Sequence, residues 1–379
     1  MENRGYFDNS ATTKPCREAA EAVMNAVENG WGNPSSLHFT GSEAESILED
    51  ARANVAAALS CKKEEIYFTS GGTESNNLAV FGAAYKMRRL GRRIVSTAIE
   101  HPSVDSALDA LAAEGFEIVK IKPDRYGRID EKYIYDAVDS DTILVTMMLV
   151  NNELGSILPV RSIKKAVSRA KAPALIHCDA VQAFGKMPVK PSALGADMVT
   201  VSSHKIHGPK GAGALYIRSG VKIQPRAFGG EQEMKIRPGT QAMPAIAGFG
   251  AAAKAIPDLK QSLERAESLK AYMLAKFEEN GGIIINSAPD ALPYVTNISV
   301  TGIKSEPMLN FLSSKGICVS SGSACSKGKK SRVLAEAGLE NAAVESALRI
   351  SFSRFTTESE IDYLAGMIKL GQSEIRKIR

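Results

Sequence analysis

Residues 65–80 read EIYFTSGGTESNNLAV. A β-branched and aromatic run enters a polar Ser70-Gly71-Gly72-Thr73 turn. Leu78, Phe81, Ala84, Tyr85 and Leu90 then recur at roughly helical spacing, which predicts a strand, a tight turn and a helix over 74–90. Two glycines let the backbone bend closely, and a helix N-terminus offers free N–H groups and a partial positive charge, so the turn reads as an anion cradle. A plain turn with a threonine cap would read the same way. The string fits neither G-x-G-x-x-G nor a P-loop, which argues against dinucleotides and nucleoside triphosphates.

The strand habit continues beyond this unit. RIVSTA, EIVKIK, ILVTMML, ALIHCD, MVTVSS and GALYI follow as far as residue 217, most of them separated by helix-forming stretches such as 157–170. Strands alternating with helices predict an α/β fold with a mainly parallel seven-stranded sheet covered on both faces. After Pro257 the pattern changes to a charged amphipathic segment, DLKQSLERAESLKAYMLAKFEEN, stopped by Gly281-Gly282 as a helix end would be. Beyond it, IIINSA, YVTNISVTG, GICVSS and ALRISFS read as strands. Thr357-x-x-Glu360 reads as a capping box opening the last helix. A smaller α/β unit over 258–379 is therefore expected beside a large one.

Composition sets outer limits. The chain has 379 residues, 44% apolar and 23% charged, with 31 Gly and 16 Pro, which suits two or three globular domains and excludes collagen-like or low-complexity classes. Its net charge of +5 does not mark a nucleic-acid binder. The basic group Lys86, Arg88, Arg89, Arg92 and Arg93 reads as cations at a helix C-terminus, not as a tRNA contact. The longest apolar run, Ile143 to Val150 interrupted by Thr146, is far short of the ~20 residues that span a bilayer. MENRGYFDNSATT has no apolar core after its single Arg, so no secretory signal is readable and a cytoplasmic protein is expected. Five cysteines without a C-x-x-C pair argue against a disulfide framework and a zinc site, and no metal is expected. Cys16, Cys61, Cys178 and Cys318 read as structural, which leaves Cys325.

In an open parallel sheet, ligands bind beyond the carboxyl ends of the strands. Those ends are unusually polar here: Glu100-His101-Pro102, Asn151-Asn152-Glu153, Asp179-x-x-Gln182 and Ser202-Ser203-His204-Lys205. Singly each has a bland reading. His101 could cap a helix, Asp179 could serve a turn, and Lys205 could be a solvated amine. Together they supply an anion cradle, a stacking imidazole, a carboxylate and an amine, the set that pyridoxal 5'-phosphate requires. On this reading Lys205 binds the aldehyde, Asp179 pairs with the ring nitrogen, Gln182 bonds the phenolic oxygen and His101 stacks on the ring.

The strings YFDNSATT (6–13), GNPSSLH (32–38), TSGGTESNN (69–77), EHPSV (100–104), VNNELG (150–155), DAVQ (179–182), SSHKIHGPKG (202–211), RPGTQ (237–241), SSGSAC (320–325) and ALRISFSRFTT (347–357) resemble the NifS/IscS-like cysteine desulfurases. The resemblance runs through essentially the whole chain. It implies a fold-type I pyridoxal-phosphate homodimer with a large cofactor domain (12–257) and a small domain built from 1–11 and 258–379. It also implies that the cofactor is held by Gly72, Thr73, His101, Asn152, Asp179, Gln182, Ser202, Ser203, His204 and Lys205 of one chain, with Thr240 from the other.

The reaction it implies converts L-cysteine to L-alanine. Lys205 shifts the Cα proton, His101 is a second proton carrier, and Cys325 attacks the substrate sulfur to become a persulfide for a sulfur-acceptor protein serving iron-sulfur cluster assembly or tRNA thiolation. Arg349 grips the substrate carboxylate, with Asn33 and Asn152 assisting. Cys325 lies in a Ser/Gly-rich stretch ahead of Lys327, Lys329, Lys330 and Arg332, whose positive charge would lower a thiol pKa. The stretch from Cys325 to Leu334 is shorter and more basic than in the housekeeping branch of the family. The alternative readings are another pyridoxal-phosphate lyase or transaminase, such as a selenocysteine lyase, and a non-catalytic sulfur carrier.

Overall fold

A computed structural model describes residues 5–322 and 330–376. Its strands are β1 (Gly5–Tyr6), β2 (Ile66–Thr69), β3 (Arg93–Thr97), β4 (Glu117–Ile121), β5 (Thr142–Met148) and β6 (Leu175–Asp179). They continue with β7 (Met198–Ser202), β8 (Gly213–Ile217), β9 (Ile283–Ile285), β10 (Val295–Val300), β11 (Ile317–Cys318) and β12 (Ala347–Ser351). Strands β2 to β8 form one sheet in the order β2-β8-β7-β6-β5-β3-β4. β3 to β7 pair in parallel, and β8 runs antiparallel to both β7 and β2. All seven expected runs are present.

Alternation along each strand divides the sheet's side chains between two cores. Ile94, Leu144 and Met198 join one cluster, covered by the helices Gly72–Met87 and Pro102–Ala113. Their neighbours Val95, Val145 and Val199 join the other, shared with the helices Phe39–Leu59, Val160–Ala170 and Met243–Lys254. Every residue of β5 is buried, as a strand covered on both faces must be. After β4 the chain crosses back to place β5 on the other side of β3, and that reversal opens a crevice at the carboxyl ends of the strands.

Residues 258–376 build a second, antiparallel sheet, β12-β10-β9. Asp258 caps the helix Leu259–Asn280 and Gly281 ends it, while Thr357 and Glu360 form the expected capping box of the helix Glu358–Glu374. The N-terminal segment is stitched to this part of the chain: β1 pairs in parallel with β11, and Asp8 bridges Ser351. Among the described residues no helix is long and apolar enough to cross a membrane.

Two expectations need correction. The basic group is split: its helix ends at Met87, Arg93 lies in β3 pairing with Glu117 and Asp139, and Arg92 donates to the Gly115 carbonyl. Cys318 is exposed, unlike buried Cys16 and Cys178, because two-residue β11 turns Ile317 inward and its neighbour outward.

Gly213 of β8 faces Thr69 and Ser202, and a Cβ placed on it would stand 2.7 Å from the Gly71 backbone. Overpacking there sets two strand ends apart. Gly213→Ala is expected to cost about 1–3 kcal/mol, read as a lower melting temperature.

Candidate active site

The crevice holds a cavity of about 220 Å³. Ten of the expected residues line it: Gly72, Thr73, His101, Asn152, Asp179, Gln182, Ser202, His204, Lys205 and Arg349. Ser203 does not, being fully buried behind the wall with its hydroxyl against Gly208. Asn33 and Thr240 are exposed and away from this cavity, and Asn33 accepts from the Ser35 N–H in a local turn. Cys325, Lys327 and Lys329 lie outside the described residues.

The Ser70-Gly71-Gly72 turn enters the helix more directly than its sequence suggests, since the helix begins at Gly72. No side chain caps this end, so its first N–H groups are open to the cavity. Gly71 takes a φ of +152°, which few side-chain-bearing residues adopt. Opposite lies the buried Ser202 hydroxyl, for which no hydrogen-bond partner exists among the described residues.

Asp179 ends β6 and accepts from the Asn76 amide at 2.7 Å and from the Val181 N–H at 3.0 Å. The same Asn76 nitrogen donates to the Ser103 hydroxyl at 2.8 Å, and that hydroxyl lies 2.8 Å from His101 Nδ1. His101 caps its helix ahead of Pro102, accepting from the Ser103 N–H at Nδ1, which places the ring proton on Nε2. The capping role and the lining role thus coexist. Burial holds the imidazole below its ordinary pKa, Lys205 acts in the same direction and Asp179 opposes them. Burial, helped by Lys205, likewise lowers His204 to about 4.

Lys205 ends a 3₁₀ turn after β7 and donates to the carbonyls of Ser10 and Ala11 at 2.6 and 2.8 Å. Gln182 donates to Ser10 O at 2.9 Å and accepts from Lys186 at 3.2 Å. Burial, with Lys205 and Arg349 adding to it, lowers the Lys186 amine to about 7. Arg349, 1% exposed, donates to the Asn152 carbonyl at 3.0 Å and pairs with Asp8 at 2.7 Å. Its backbone exchanges hydrogen bonds with Ser320, while Ser331 donates to the buried Glu153. Both flanks of the segment 323–329 are therefore fastened beside the cavity. Arg332 binds the carbonyls of Ala98 and Glu100, and Lys330 pairs with Glu345, so neither is a free cation of the cysteine stretch.

These groups fit pyridoxal 5'-phosphate. An uncapped helix end and an unsatisfied buried hydroxyl suit its phosphate, a carboxylate its ring nitrogen, and an amine its aldehyde. The aminotransferase class-V family model matches residues 5–364. The chain is 36% identical to the cysteine desulfurase IscS of Dictyoglomus turgidum over 100% of its own length and 97% of that protein's. The chain belongs to the class-V cysteine desulfurases. Like them it is a pyridoxal-phosphate enzyme. A solved NifS-like protein superposes with a TM-score of 0.93 at 35% identity, covering 98% of this chain and all of that one. The solved structure of SspA in complex with cysteine gives 0.82 at 30% identity over 93% and 100% of the two chains.

Several residues in or behind this desulfurase's cavity escaped the sequence reading. Ser10 and Ala11 act through backbone carbonyls, which no residue type advertises. Asn76 and Ser103 sit in first helical turns, where capping explains them equally well, and Lys186 reads as an ordinary surface lysine. Glu100 was visible only as a strand-end acid. It is fully buried, accepts from Thr97 and the Met148 N–H, and has Oε2 without a partner among the described residues.

Burial, with the charge of Asp179 adding to it, raises Glu100 from 4.5 to about 8. Between those values the folded chain keeps a proton that the unfolded chain releases, so this group's stabilisation is full below the lower value and is lost as pH rises toward 8. Glu100→Gln removes the dependence. Melting temperatures of both proteins across that window should show the variant gaining on the parent as pH rises; parallel curves would refute the assignment.

Proposed function

We propose that Lys205, His101, Arg349 and Cys325 carry out the conversion of L-cysteine to L-alanine and enzyme-bound sulfur. The observation that carries the reading is the gathering of the Lys205 amine, the Asp179 carboxylate and an uncapped helix end around one cavity. Gly72, Thr73, Ser202 and His204 would hold the phosphate, Asp179 the ring nitrogen, Gln182 the phenolic oxygen and Lys205 the aldehyde. His101 would stack on the ring, and Asn152 and Ser203 would complete the surroundings. When bound there, the cofactor supplies an electron sink for the pair left at the substrate Cα.

The chain's own groups do the rest. Arg349 receives the substrate carboxylate in a bidentate grip, exchanging Asp8 and the Asn152 carbonyl for it. Lys205 Nζ, turning from the carbonyls of Ser10 and Ala11, takes the Cα proton. Cys325 Sγ, as thiolate, forms a bond to the substrate sulfur while the Cβ–S bond breaks, its electron pair staying with carbon. The Cα proton goes back from Lys205, and Cβ takes up a proton equivalent to the one the substrate thiol gives up, with His101 Nε2 as carrier; this completes alanine and leaves a persulfide on Cys325. A neutral imidazole suits that duty, since it can both donate and accept.

We group 1–11 with 258–379 as one domain beside 12–257, a reading supported by the pairing of β1 with β11. We further read the working form as a homodimer. Trp31, Leu37, Phe39, Phe228 and Met234 are large apolar side chains left exposed, and residues 34–35 and 231–234 line one groove. Asn33 and Thr240 belong to the same stretches, and a second copy seated there would receive Thr240 in its phosphate site and Asn33 near its substrate. The persulfide then passes to a sulfur-acceptor protein. A cytoplasmic setting keeps such a thiol reduced.

Incubation with L-cysteine and a reductant tests the reading: alanine and sulfide should appear in equal amounts. Lys205→Ala should lower turnover by roughly 10²–10⁴-fold or more. Cys325→Ser should keep the cofactor's visible absorbance yet lose sulfur release. Release at the parent rate by Cys325→Ser would refute the persulfide route.

A further inference from the structure

Among the described residues outside the cavity, the most unusual backbone lies at Glu233, Met234 and Lys235, three successive non-glycine residues with φ of +44°, +52° and +66°. A Cβ disfavours this left-handed conformation, and residues that tolerate it normally do so singly. Such a turn persists only where the surroundings impose it, and strain of this kind concentrates at functional segments.

The restraint here is a buried ion pair. The Glu233 carboxylate, with no side-chain exposure, takes Arg52 Nη1 on Oε2 at 2.8 Å and Nη2 on Oε1 at 2.9 Å. Oε2 also accepts from the Phe68 N–H at 2.7 Å on the outer edge of β2. Arg52 in turn donates to the Ile66 carbonyl at 2.7 Å and lies 4.8 Å over the Phe68 ring. A bidentate pair with every oxygen used is rigid, and removing either partner strands a buried charge. The second tie is the informative one. Oε1 of the same carboxylate accepts from Gln241 Nε2 at 3.2 Å, so one group fixes both the left-handed turn and the neighbour of Thr240.

We propose that the Arg52–Glu233 ion pair is a positioning clasp, which holds the left-handed turn at 233–235 so that Thr240 is presented to the phosphate site of a second copy of the chain. This rests on the reading above that Thr240 acts across a dimer. Arg52 and Glu233 are positioning residues in this account, touching neither cofactor nor substrate.

The test measures binding of pyridoxal 5'-phosphate to the cofactor-free dimer, by its visible absorbance and by borohydride trapping on Lys205. Arg52→Met should weaken binding by roughly 10- to 100-fold, the effect of a small misplacement. Met234→Gly with Lys235→Gly in the same chain should recover part of the loss, because glycine takes positive φ without a Cβ penalty. No recovery, or parent-like binding by Arg52→Met, overturns the proposal. Glu233→Gln, which keeps the volume but sets an amide against the Arg52 and Phe68 donors, stands in with the same readings should Arg52→Met not fold. Mixed dimers locate the effect. Paired with a Lys205→Ala chain, an Arg52→Met chain retains the only Lys205 but receives its partner's intact segment, so trapping should return to the parent affinity. A Thr240→Ala chain in the same pairing should also trap at parent affinity. If it stays weak, the shared-site reading fails and the clasp with it; if only the Arg52→Met pairing stays weak, the clasp alone is refuted.

Discussion

The site depends on a strap of backbone, residues 5–13, laid between two sheets. At one end β1 pairs with β11 and Asp8 holds Arg349. At the other, Ser10 and Ala11 offer carbonyls to Lys205, Ser10 O also accepts from Gln182, and Thr13 donates to the His204 carbonyl. The Lys205 amine and the Arg349 guanidinium come from separate regions of the chain. Their relative placement is set by this strap, whose hydrogen bonds are mostly backbone groups held in a buried setting where leaving them unmade is costly.

Burial also sets the charge state of the cavity. His101 and His204 are pushed toward the neutral form and Lys186 to about 7, each chiefly because a cation is poorly solvated there. Lys205 adds repulsion in all three cases. A cavity already holding Lys205 and Arg349 therefore disfavours further positive charge on its imidazoles. The chain from Asp179 through Asn76 and Ser103 to His101 links a carboxylate and an imidazole that both line the cavity.

Much of this was legible in the sequence, for physical reasons that also explain the gaps. Strands covered on both faces must be continuous apolar runs, so ILVTMML and MVTVSS announced themselves. Polar residues at strand ends have little structural purpose in such a sheet, so His101, Asp179 and Lys205 stood out. What stayed hidden works through atoms common to all residues, as at Ser10 and Ala11, or through long-range pairing, as between Arg52 and Glu233. The left-handed turn carries no glycine to reveal it. Cys318 misled because a short strand exposes alternate side chains whatever their polarity. Asn33 and Thr240 read as site residues only through the family resemblance, and they stand apart from their own chain's cavity.

The strap has a consequence for how the molecule is made. Asp8 and Arg349 are 341 positions apart, and the same segment bonds Ser351 at a separation of 342. Loop closure over such a distance comes late, after the local strand–helix units have assembled. The large sheet can therefore form while Lys205 still lacks its carbonyl cradle and Arg349 its carboxylate. The cavity is complete only with the final topological closure of the chain, so a partly folded molecule exposes the uncapped helix end at Gly72 before Lys205 and Arg349 are held in place.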